Sequence, residues 1–187
     1  MSSEDDTSIV VNTNLVGAYN ADNVMAALAV GAHFGVSLED AVKAIEAYVP
    51  SNNRSQMVRT KFNTLIVDAY NANPTSMEAA LKNFASLQAD HKAALLGDML
   101  ELGDHAPAEH RKLGELAAQK AELILCYGPN APYVVEGSGG KAIAFDDRDA
   151  MTAALKEMAQ SGDVILFKGS HGMHLELVLE AFLKNET

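Results

Sequence analysis

A segment in the first half of the chain, residues 68–76, places an acid, two amides and a proline where a nucleotide could bind. Asp68 ends an apolar run, and a carboxylate at the end of a strand can accept two hydrogen bonds from a ribose diol. Asn71 and Asn73 offer side-chain amides, and a helix that begins at Pro74 would present unpaired N–H groups to an anion. The alternative, which spacing alone favours, is that Asp68 and the asparagines only satisfy turn and cap hydrogen bonds.

A second acidic segment, residues 96–103, reads Leu-Gly-Asp-Met-Leu-Glu-Leu-Gly. Asp98 and Glu101 could hold Mg²⁺, which prefers oxygen ligands, or they could orient a substrate amine. The alternative is a strand-to-helix loop whose carboxylates are solvated, and spacing by itself favours that simpler interpretation.

The third segment, residues 167–172, carries a lysine and small residues between an apolar run and a helical pattern. Lys168 and Ser170 could form a cradle for an anion. The segment is not a Walker A loop, because the lysine precedes its glycine and the upstream glycine is missing. His171 and His174, with Glu176 nearby, are a weak metal signal, and surface histidines are the commoner cause of such a pattern.

Two amides and an arginine lie closer to the N-terminus. Asn20 and Asn23 share one helical face at i, i+3 spacing and could bracket a purine edge, or one of them could cap the helix. Arg54 stands among polar neighbours and could reach a phosphate, or it could be an exposed linker charge.

The elements that must position these side chains alternate between short apolar runs and helical patterns from residue 55 onward. The runs predict strands at residues 56–60, 63–68, 91–96, 122–127, 141–145 and 163–167. Helices are predicted from residue 74 and at residues 107–120, 147–160 and 173–183, with 128–140 mostly loop that could contain one helical turn. This alternation predicts an α/β fold, a Rossmann-like, doubly wound and mostly parallel sheet over residues 55–187. Ligands of such sheets bind beyond the carboxyl ends of the strands, where residues 68–73, 97–104 and 168–172 fall.

Residues 1–54 read differently and predict a small, mainly helical unit before the sheet. Residues 20–34 are rich in alanine and apolar almost all round, which predicts a helix buried on most sides. Ser37 can cap a second helix that carries one apolar stripe. Residues 50–53 are typical of a linker.

The charge balance narrows the classes of partner. Lys and Arg total 14 against 25 Asp and Glu, for a formal net charge of −11, and a field of that sign repels nucleic acid and anionic membrane surfaces. Cys126 is the only cysteine, so a disulfide framework is excluded and a reducing compartment fits. With an acidic N-terminus and no apolar stretch of the ~18 residues that a membrane span requires, we expect a cytoplasmic protein without membrane insertion.

Taken in order, five segments of the chain resemble the C-terminal end of the Mur ligase family. They are residues 17–23 (Gly-Ala-Tyr-Asn-Ala-Asp-Asn), 51–56 (Ser-Asn-Asn-Arg-Ser-Gln), 68–76 (Asp-Ala-Tyr-Asn-Ala-Asn-Pro-Thr-Ser), 96–103 and 168–170 (Lys-Gly-Ser). The resemblance covers nearly the whole chain, from residue 17 to residue 183. The strings Tyr-Asn-Ala-Asn-Pro and Gly-Asp-Met-Leu-Glu-Leu-Gly are most similar to the family member that adds D-alanyl-D-alanine.

The resemblance implies an ATP-dependent ligase that joins D-alanyl-D-alanine to UDP-N-acetylmuramoyl-tripeptide through an acyl phosphate, with Mg²⁺ in the full-length enzyme. It implies ATP contacts for seven residues: Asn20 and Asn23 at the adenine, Arg54 at a phosphate, Asp68 at the ribose, and Tyr70, Asn71 and Asn73 along the cleft. Lys168 and Ser170 would lie near the carboxylate of the dipeptide. No catalytic residue and no metal ligand are expected in this part of the family's sequence.

The chain departs from the family in what it lacks. The printed sequence contains no Gly-Lys-Thr/Ser phosphate loop, and residues 1–54 resemble only the final part of the central ATP-binding domain. We therefore expect this chain to be inactive by itself, and the apolar helix at residues 20–34 to be exposed without the rest of that domain. Two other interpretations stay open: a Rossmann-like nucleotide-binding module with no ligase role, and an interaction domain whose acidic surface meets a protein partner.

Overall fold

The computed structural model describes residues 8–18, 20–50 and 53–184. Six strands form one sheet: β1 Gln56–Arg59, β2 Thr64–Asp68, β3 Lys92–Gly97, β4 Leu123–Tyr127, β5 Ile143–Phe145 and β6 Val164–Lys168. Seven helices accompany them: α1 Asn20–His33, α2 Leu38–Ala47, α3 Pro74–Ser86, α4 Ala106–Ala118, α5 Ala131–Gly137, α6 Arg148–Met158 and α7 Leu175–Leu183. Short 3-10 turns precede α4 and α7.

The strand order is β1-β2-β6-β3-β4-β5, and every pair is parallel except the β1–β2 hairpin. The predicted mostly parallel sheet is therefore confirmed. Strand β6 lies between β2 and β3, so that Lys168 is opposite Asp68 on one side and Leu96 on the other. Because parallel strands end at the same edge of a sheet, the three polar segments of the sequence lie side by side there.

Helices cover both faces of the sheet, as a doubly wound fold requires. Side chains alternate along each strand, so Ile66 packs into the core beneath α3, α4 and α5, while its neighbours Leu65 and Val67 pack beneath α6 and α7. All five residues of β6 are buried, because this strand is central and covered twice.

The helix starts follow the sequence signals. Asn73 caps α3, Ser37 caps α2 and Asp147 caps α6, each through a side-chain oxygen that accepts an N–H of the first turn. None of the helices within the described ranges is long and apolar enough to cross a bilayer.

The prediction of mostly loop with a helical turn at residues 128–140 underestimates the helix, since α5 occupies Ala131–Gly137. Two glycines let α5 lie directly against α4. A Cβ on Gly114 would stand 2.2 Å from the carbonyl oxygen of Val134, and one on Gly137 would stand 1.9 Å from that of Arg111. These glycines allow the backbones of two helices to pack against each other, although glycines at such positions in a sequence are typical of a loop.

The prediction that the first helix is buried on most sides is also wrong. Asn20 is the buried residue of α1, while Met25 is 64% exposed and Val30 57% exposed. Within the described ranges α1 packs chiefly on α2, and much of its apolar surface stays exposed. The exposure expected for an isolated remnant is thus what the structure shows.

The first unit is tied to the sheet near its linker. Val16 donates a backbone hydrogen bond to the Ser55 carbonyl at 3.1 Å, and Leu15 forms an isolated bridge with Gln56. Two residues of the predicted linker, 51 and 52, lie outside the described residues. Residue 19 and the N-terminal residues 1–7 lie outside them as well. The proposed boundary after residue 54 stays a prediction.

Candidate functional site

A cavity of about 670 Å³ opens at the carboxyl end of β2, between the sheet and the first unit. We call it the β2 cavity. Its lining includes all seven residues for which the sequence predicts ATP contacts: Asn20, Asn23, Arg54, Asp68, Tyr70, Asn71 and Asn73. They come from α1, the linker and the β2–α3 loop, so the tertiary structure brings together side chains that are far apart in sequence.

Asp68 is held from two sides at the floor of this cavity. Its Oδ1 accepts a hydrogen bond from the Ser55 N–H at 3.3 Å, and its Oδ2 is 3.1 Å from Nζ of Lys168. The side chain remains 16% exposed. An ionised carboxylate has about four acceptor positions, so this one retains capacity for two hydroxyl groups.

Lys168 is almost completely buried, with 1% of its side chain exposed. Its ammonium donates to the backbone carbonyls of Asp68 and Asn71 in addition to pairing with the Asp68 carboxylate. Burial lowers the pKa of Lys168, and the nearby Asp68 carboxylate opposes that shift. The contact of Lys168 with a dipeptide stays a prediction, since the described partners of its ammonium all belong to the β2 side of the cleft.

Arg54 lies at the mouth of the β2 cavity, stacked on an aromatic ring. Its guanidinium carbon is 3.7 Å from the centre of the Tyr70 ring. The residues on either side, Asn53 and Ser55, have positive φ angles of 56° and 48°, which non-glycine residues rarely adopt. The Asn53 carbonyl accepts a hydrogen bond from the Ala69 N–H at 2.9 Å. The backbone is thus bent around the end of β2 in a way that aims Arg54 over the cavity.

The two amides of α1 are bonded to each other. Asn23 donates to the side-chain oxygen of Asn20 at 3.0 Å, and Asn20 donates to the Val16 carbonyl at 2.8 Å. Asn20 is therefore buried in a local turn, while Asn23 is exposed beside the cavity. Neither of these hydrogen bonds is a helix cap, in which a side-chain oxygen accepts a backbone N–H, and the purine contact stays a prediction.

A second cavity of about 420 Å³, the α1–α2 cavity, adjoins the first. The two cavities share the lining residues Asn20, Asn23, Arg54 and Ser55. The rest of its lining is mainly aliphatic and aromatic and comes from the two helices and the segments beside them: Leu15, Val24, Ala27, Ala44, Ile45, Tyr48 and Pro50. A polar cavity thus continues into an apolar one, which suits a ligand with a charged end and a flat, weakly polar end.

The N-terminus of α3 completes the wall. Asn73 and Ser76 form a reciprocal capping box, with the Asn73 side-chain oxygen 2.8 Å from the Ser76 nitrogen and the Ser76 hydroxyl 3.1 Å from the Asn73 nitrogen. The cap interpretation is therefore correct for Asn73, whose side chain orients the helix start. Asn71 is exposed, and its carbonyl binds Lys168.

The structure does not support a metal or amine site at Asp98 and Glu101. Asp98 is buried at 2% exposure, and its carboxylate accepts hydrogen bonds from the backbone N–H (3.0 Å) and side-chain N–H (2.7 Å) of Asn130. Glu101 is exposed, in a backbone turn with φ of 65°. Asp98 turns into the protein because it anchors the start of α5. Within the described ranges, no group of three or more His, Cys, Asp or Glu side chains could hold a metal ion.

Sequence reasoning missed His110, which is completely buried on α4. Its Nδ1 is 2.7 Å from the Ala106 carbonyl, and its Nε2 is 3.1 Å from the Met99 N–H. Nε2 accepts from the Met99 N–H, and Nδ1 donates to the Ala106 carbonyl. The sequence signal for its burial is that His110 lies on the apolar face of α4, near the start of the helix. That position does not indicate a chemical role.

Ser170 joins the loops after β3 and β6. Its hydroxyl accepts a hydrogen bond from the Leu100 N–H at 3.0 Å, and its own N–H donates to the Asp98 carbonyl at 3.1 Å. Ser170 is 6% exposed. Its predicted dipeptide contact stays a prediction.

The two histidines after β6 behave as surface side chains. His174 pairs with Glu176 at 2.9 Å, and the His171 ring lies against Tyr70 with centroids 5.5 Å apart. The metal interpretation of this pair therefore has no geometric support.

Comparison with known proteins agrees with this geometry. The Mur ligase glutamate ligase domain family matches residues 53–171. The chain is 36% identical over 179 residues to the UDP-N-acetylmuramoyl-tripeptide–D-alanyl-D-alanine ligase of Bacillus subtilis, covering 91% of this chain and 39% of that protein. It is 32% identical over 185 residues to the Escherichia coli ligase of the same name, covering 96% and 40%.

Solved structures give the same result. The crystal structure of MurF from Acinetobacter baumannii superposes with a TM-score of 0.85 at 33% identity, over 93% of this chain and 40% of that one. MurF ligase from Thermotoga maritima in complex with ADP superposes with a TM-score of 0.79 at 25% identity, over 91% and 39%. The chain spans about two fifths of the length of these relatives. On both sequence and fold, the chain belongs to the Mur ligase family and corresponds to its C-terminal part.

Proposed function

We propose that this chain forms the C-terminal part of a ligase that uses ATP to join D-alanyl-D-alanine to UDP-N-acetylmuramoyl-tripeptide. The names of its relatives support the substrates, and the ADP complex of one related structure supports the nucleotide. The observation that carries the proposal is the lining of the β2 cavity, where all seven predicted ATP contacts meet.

The two adjoining cavities suggest how the nucleotide lies. The adenine occupies the apolar α1–α2 cavity, where Asn23 is the exposed amide that can read a base edge. The ribose diol binds the free acceptor positions of Asp68. The phosphates extend toward Arg54 and the start of α3, where the guanidinium and the helix dipole provide positive potential in an otherwise acidic chain.

In the proposed reaction, a carboxylate oxygen of the tripeptide attacks the terminal phosphorus of ATP, which forms an acyl phosphate and releases ADP. The amine of D-alanyl-D-alanine then attacks the acyl carbon, the acyl C–O bond breaks, and an amide and inorganic phosphate result. Arg54 would stabilise charge on the transferring phosphoryl group. The described residues do not suit a Mg²⁺ site. No residue of this chain is therefore assigned to metal binding.

The dipeptide would bind on the β6 side of the cleft, near the loop that contains Lys168 and Ser170. The chain alone would bind ligands without ligating them, because the printed sequence has no Gly-Lys-Thr/Ser loop to hold the phosphates. The assignment of the dipeptide rests on the family resemblance and on the position of the loop that contains Lys168 and Ser170.

An NMR titration of the chain with ATP, and separately with D-alanyl-D-alanine, tests the proposal. ATP should shift amide signals around residues 68–73 and around Asn23, and Asp68→Ala should raise the ATP concentration needed for those shifts about 10-fold. Asp90→Ala is the matched control, since Asp90 is an exposed aspartate just before β3, at the amino ends of the parallel strands and away from the β2 cavity. An ATP response that is absent, or unchanged in Asp68→Ala, would refute the nucleotide assignment.

A further inference from the structure

Lys168 connects the last strand to the acid at the end of β2. We propose that Lys168 is a positioning residue of the nucleotide site, which holds the Asp68 carboxylate in the orientation that receives the ribose diol. This inference rests on the proposed function, since it requires that Asp68 bind the ribose. It assigns Lys168 to the nucleotide side of the cleft instead of the dipeptide side.

The geometry of the ammonium supports this role. A lysine ammonium has three N–H donors, and Nζ of Lys168 has three described acceptors: the Asp68 carboxylate, the Asp68 carbonyl and the Asn71 carbonyl. All three belong to the end of β2 and the turn that follows it. While they are in place, no donor remains for the carboxylate of a dipeptide.

The strand register makes the pairing a property of the sheet. Asp68 and Lys168 are directly opposite each other in the parallel β2–β6 pair, so their side chains leave the sheet on the same face. Both are the last residues of their strands. The lysine is thereby held beside the carboxylate by two hydrogen-bonded strands of the sheet.

The pair also satisfies an electrostatic requirement. A fully buried ammonium is tolerated only where acceptors replace its water, and Lys168 is 1% exposed. Its partner carboxylate is bonded at Oδ2 by Lys168 and at Oδ1 by the Ser55 N–H, so neither oxygen can rotate freely. The Asp68 carboxylate lines the β2 cavity, so its remaining acceptor positions are available to a ligand there.

Discrimination between ATP and 2′,3′-dideoxy-ATP measures this role directly, because the analogue lacks the diol. We expect the unmodified chain to bind ATP about 10-fold more tightly, the size of one good hydrogen-bonding group. Lys168→Met, which keeps the length of the side chain, should reduce the Kd ratio of the two nucleotides to about 2. Asp68→Ala should reduce it to about 1, and the double variant should show no further loss.

Lys92→Met is the matched control. The Lys92 ammonium is partly buried and donates to the Ala85 carbonyl at 2.7 Å. Lys92 is the first residue of β3, so it lies at the amino ends of the parallel strands and not at the β2 cavity. A general loss of stability from removing a lysine would affect both variants, whereas the nucleotide ratio should change only in Lys168→Met.

A measurement on the unmodified chain covers the case in which Lys168→Met does not fold. The ¹⁵Nζ signal of Lys168 should move when ATP is added and move much less with 2′,3′-dideoxy-ATP at equal occupancy. A signal that responds equally to both nucleotides, or only to D-alanyl-D-alanine, would overturn the positioning role.

The outcomes separate the two proposals. If ATP does not bind the unmodified chain, the proposed function and this inference both fail. If Asp68→Ala abolishes the diol preference while folded Lys168→Met retains it, the nucleotide assignment stands and the role of Lys168 is refuted.

Discussion

Asp68 and Asp98 are aspartates at the carboxyl ends of the two strands that flank β6, yet they face opposite environments. Asp68 is 16% exposed and lines the β2 cavity, with one N–H donor at each oxygen. Asp98 is 2% exposed, and its carboxylate binds the start of α5 through Asn130. The same residue type at the same topological position thus belongs to a candidate binding site in one case and to the core in the other.

The difference comes from the segment that each strand end meets. The linker bends around β2 and leaves a cavity, because Asn53 and Ser55 adopt positive φ angles. The turn before α5 instead closes over β3, because Gly128 allows its backbone to touch the Asp98 side chain. Position at the edge of a parallel sheet is therefore insufficient for a binding role, and the covering segment decides the outcome.

The largest effect should come from Gly128→Ala, which attacks the buried side of the comparison. A Cβ there would be 2.5 Å from Cγ of Asp98, at a backbone φ of 126°. We expect the free energy of unfolding to fall by about 4 kcal/mol, measured by urea denaturation. Gly139→Ala is the control, since its φ is also positive (66°) but its Cβ would meet nothing within 4 Å. Equal losses in both variants would show that the contact with Asp98 is unimportant.

Asp98→Asn should have the next largest effect. The asparagine oxygen could keep the two short hydrogen bonds that Asn130 donates to Oδ2, but its NH₂ group would replace the Oδ1 acceptor 3.3 Å from the Asn130 nitrogen, and the charge that strengthens these bonds would be lost. The expected loss is about 2–3 kcal/mol of unfolding free energy, again by urea denaturation. Asp90→Asn on the exposed surface should change it by less than about 0.5 kcal/mol. A similar small change for Asp98→Asn would contradict a structural role for that residue.

Asp68→Asn should show the reverse pattern. It should weaken ATP binding about 10-fold, by loss of a charged acceptor for the ribose, whereas Asp98→Asn should leave ATP binding nearly unchanged. Isothermal titration of the two variants with ATP tests this. If Asp98→Asn weakened ATP binding more than Asp68→Asn, the contrast between the two acids would be wrong.

The stability lost in Asp68→Asn should depend on pH through Lys168. Burial lowers the pKa of Lys168 below its ordinary value of 10.5, and the Asp68 carboxylate opposes that shift, so the variant lowers it further. A lysine whose pKa is lower in the folded state destabilises the fold while pH is below that value, and the penalty disappears as pH rises toward 10.5. The stability difference between variant and unmodified chain should therefore shrink between pH 7 and pH 10. A difference that grows with pH would contradict the buried pair.

The smallest effect should come from Tyr70→Leu, which removes the ring beneath Arg54. A stacked guanidinium contributes about 0.5–1 kcal/mol at an exposed site, so ATP binding should weaken about 3-fold. The double variant with Arg54→Ala should bind no more weakly than Arg54→Ala alone. Additive losses in titrations of the three variants would show that Tyr70 acts independently of Arg54.

Local sequence signals predicted most elements of the sheet domain. Apolar runs such as the one ending at Asp68 predicted the parallel strands, and Pro74 with Asn73 predicted the start of α3. The candidate site was predicted through the family resemblance; the seven residues with predicted ATP contacts line one cavity, and the contacts themselves stay predictions. Two errors share a cause: α5 and the exposed face of α1 depend on what packs against them, which periodicity does not report.

By itself, the sequence determined the order and type of the elements, because hydrophobic periodicity and helix caps are local properties of neighbouring residues. Only the tertiary structure decided that β6 lies between β2 and β3, which places Lys168 beside Asp68. It also decided that Asp98 is buried while Asp68 opens to a cavity. Strand order and side-chain burial arise from contacts between residues distant in the chain, and the hydrogen bonds that give each acid its role exist only after those contacts form.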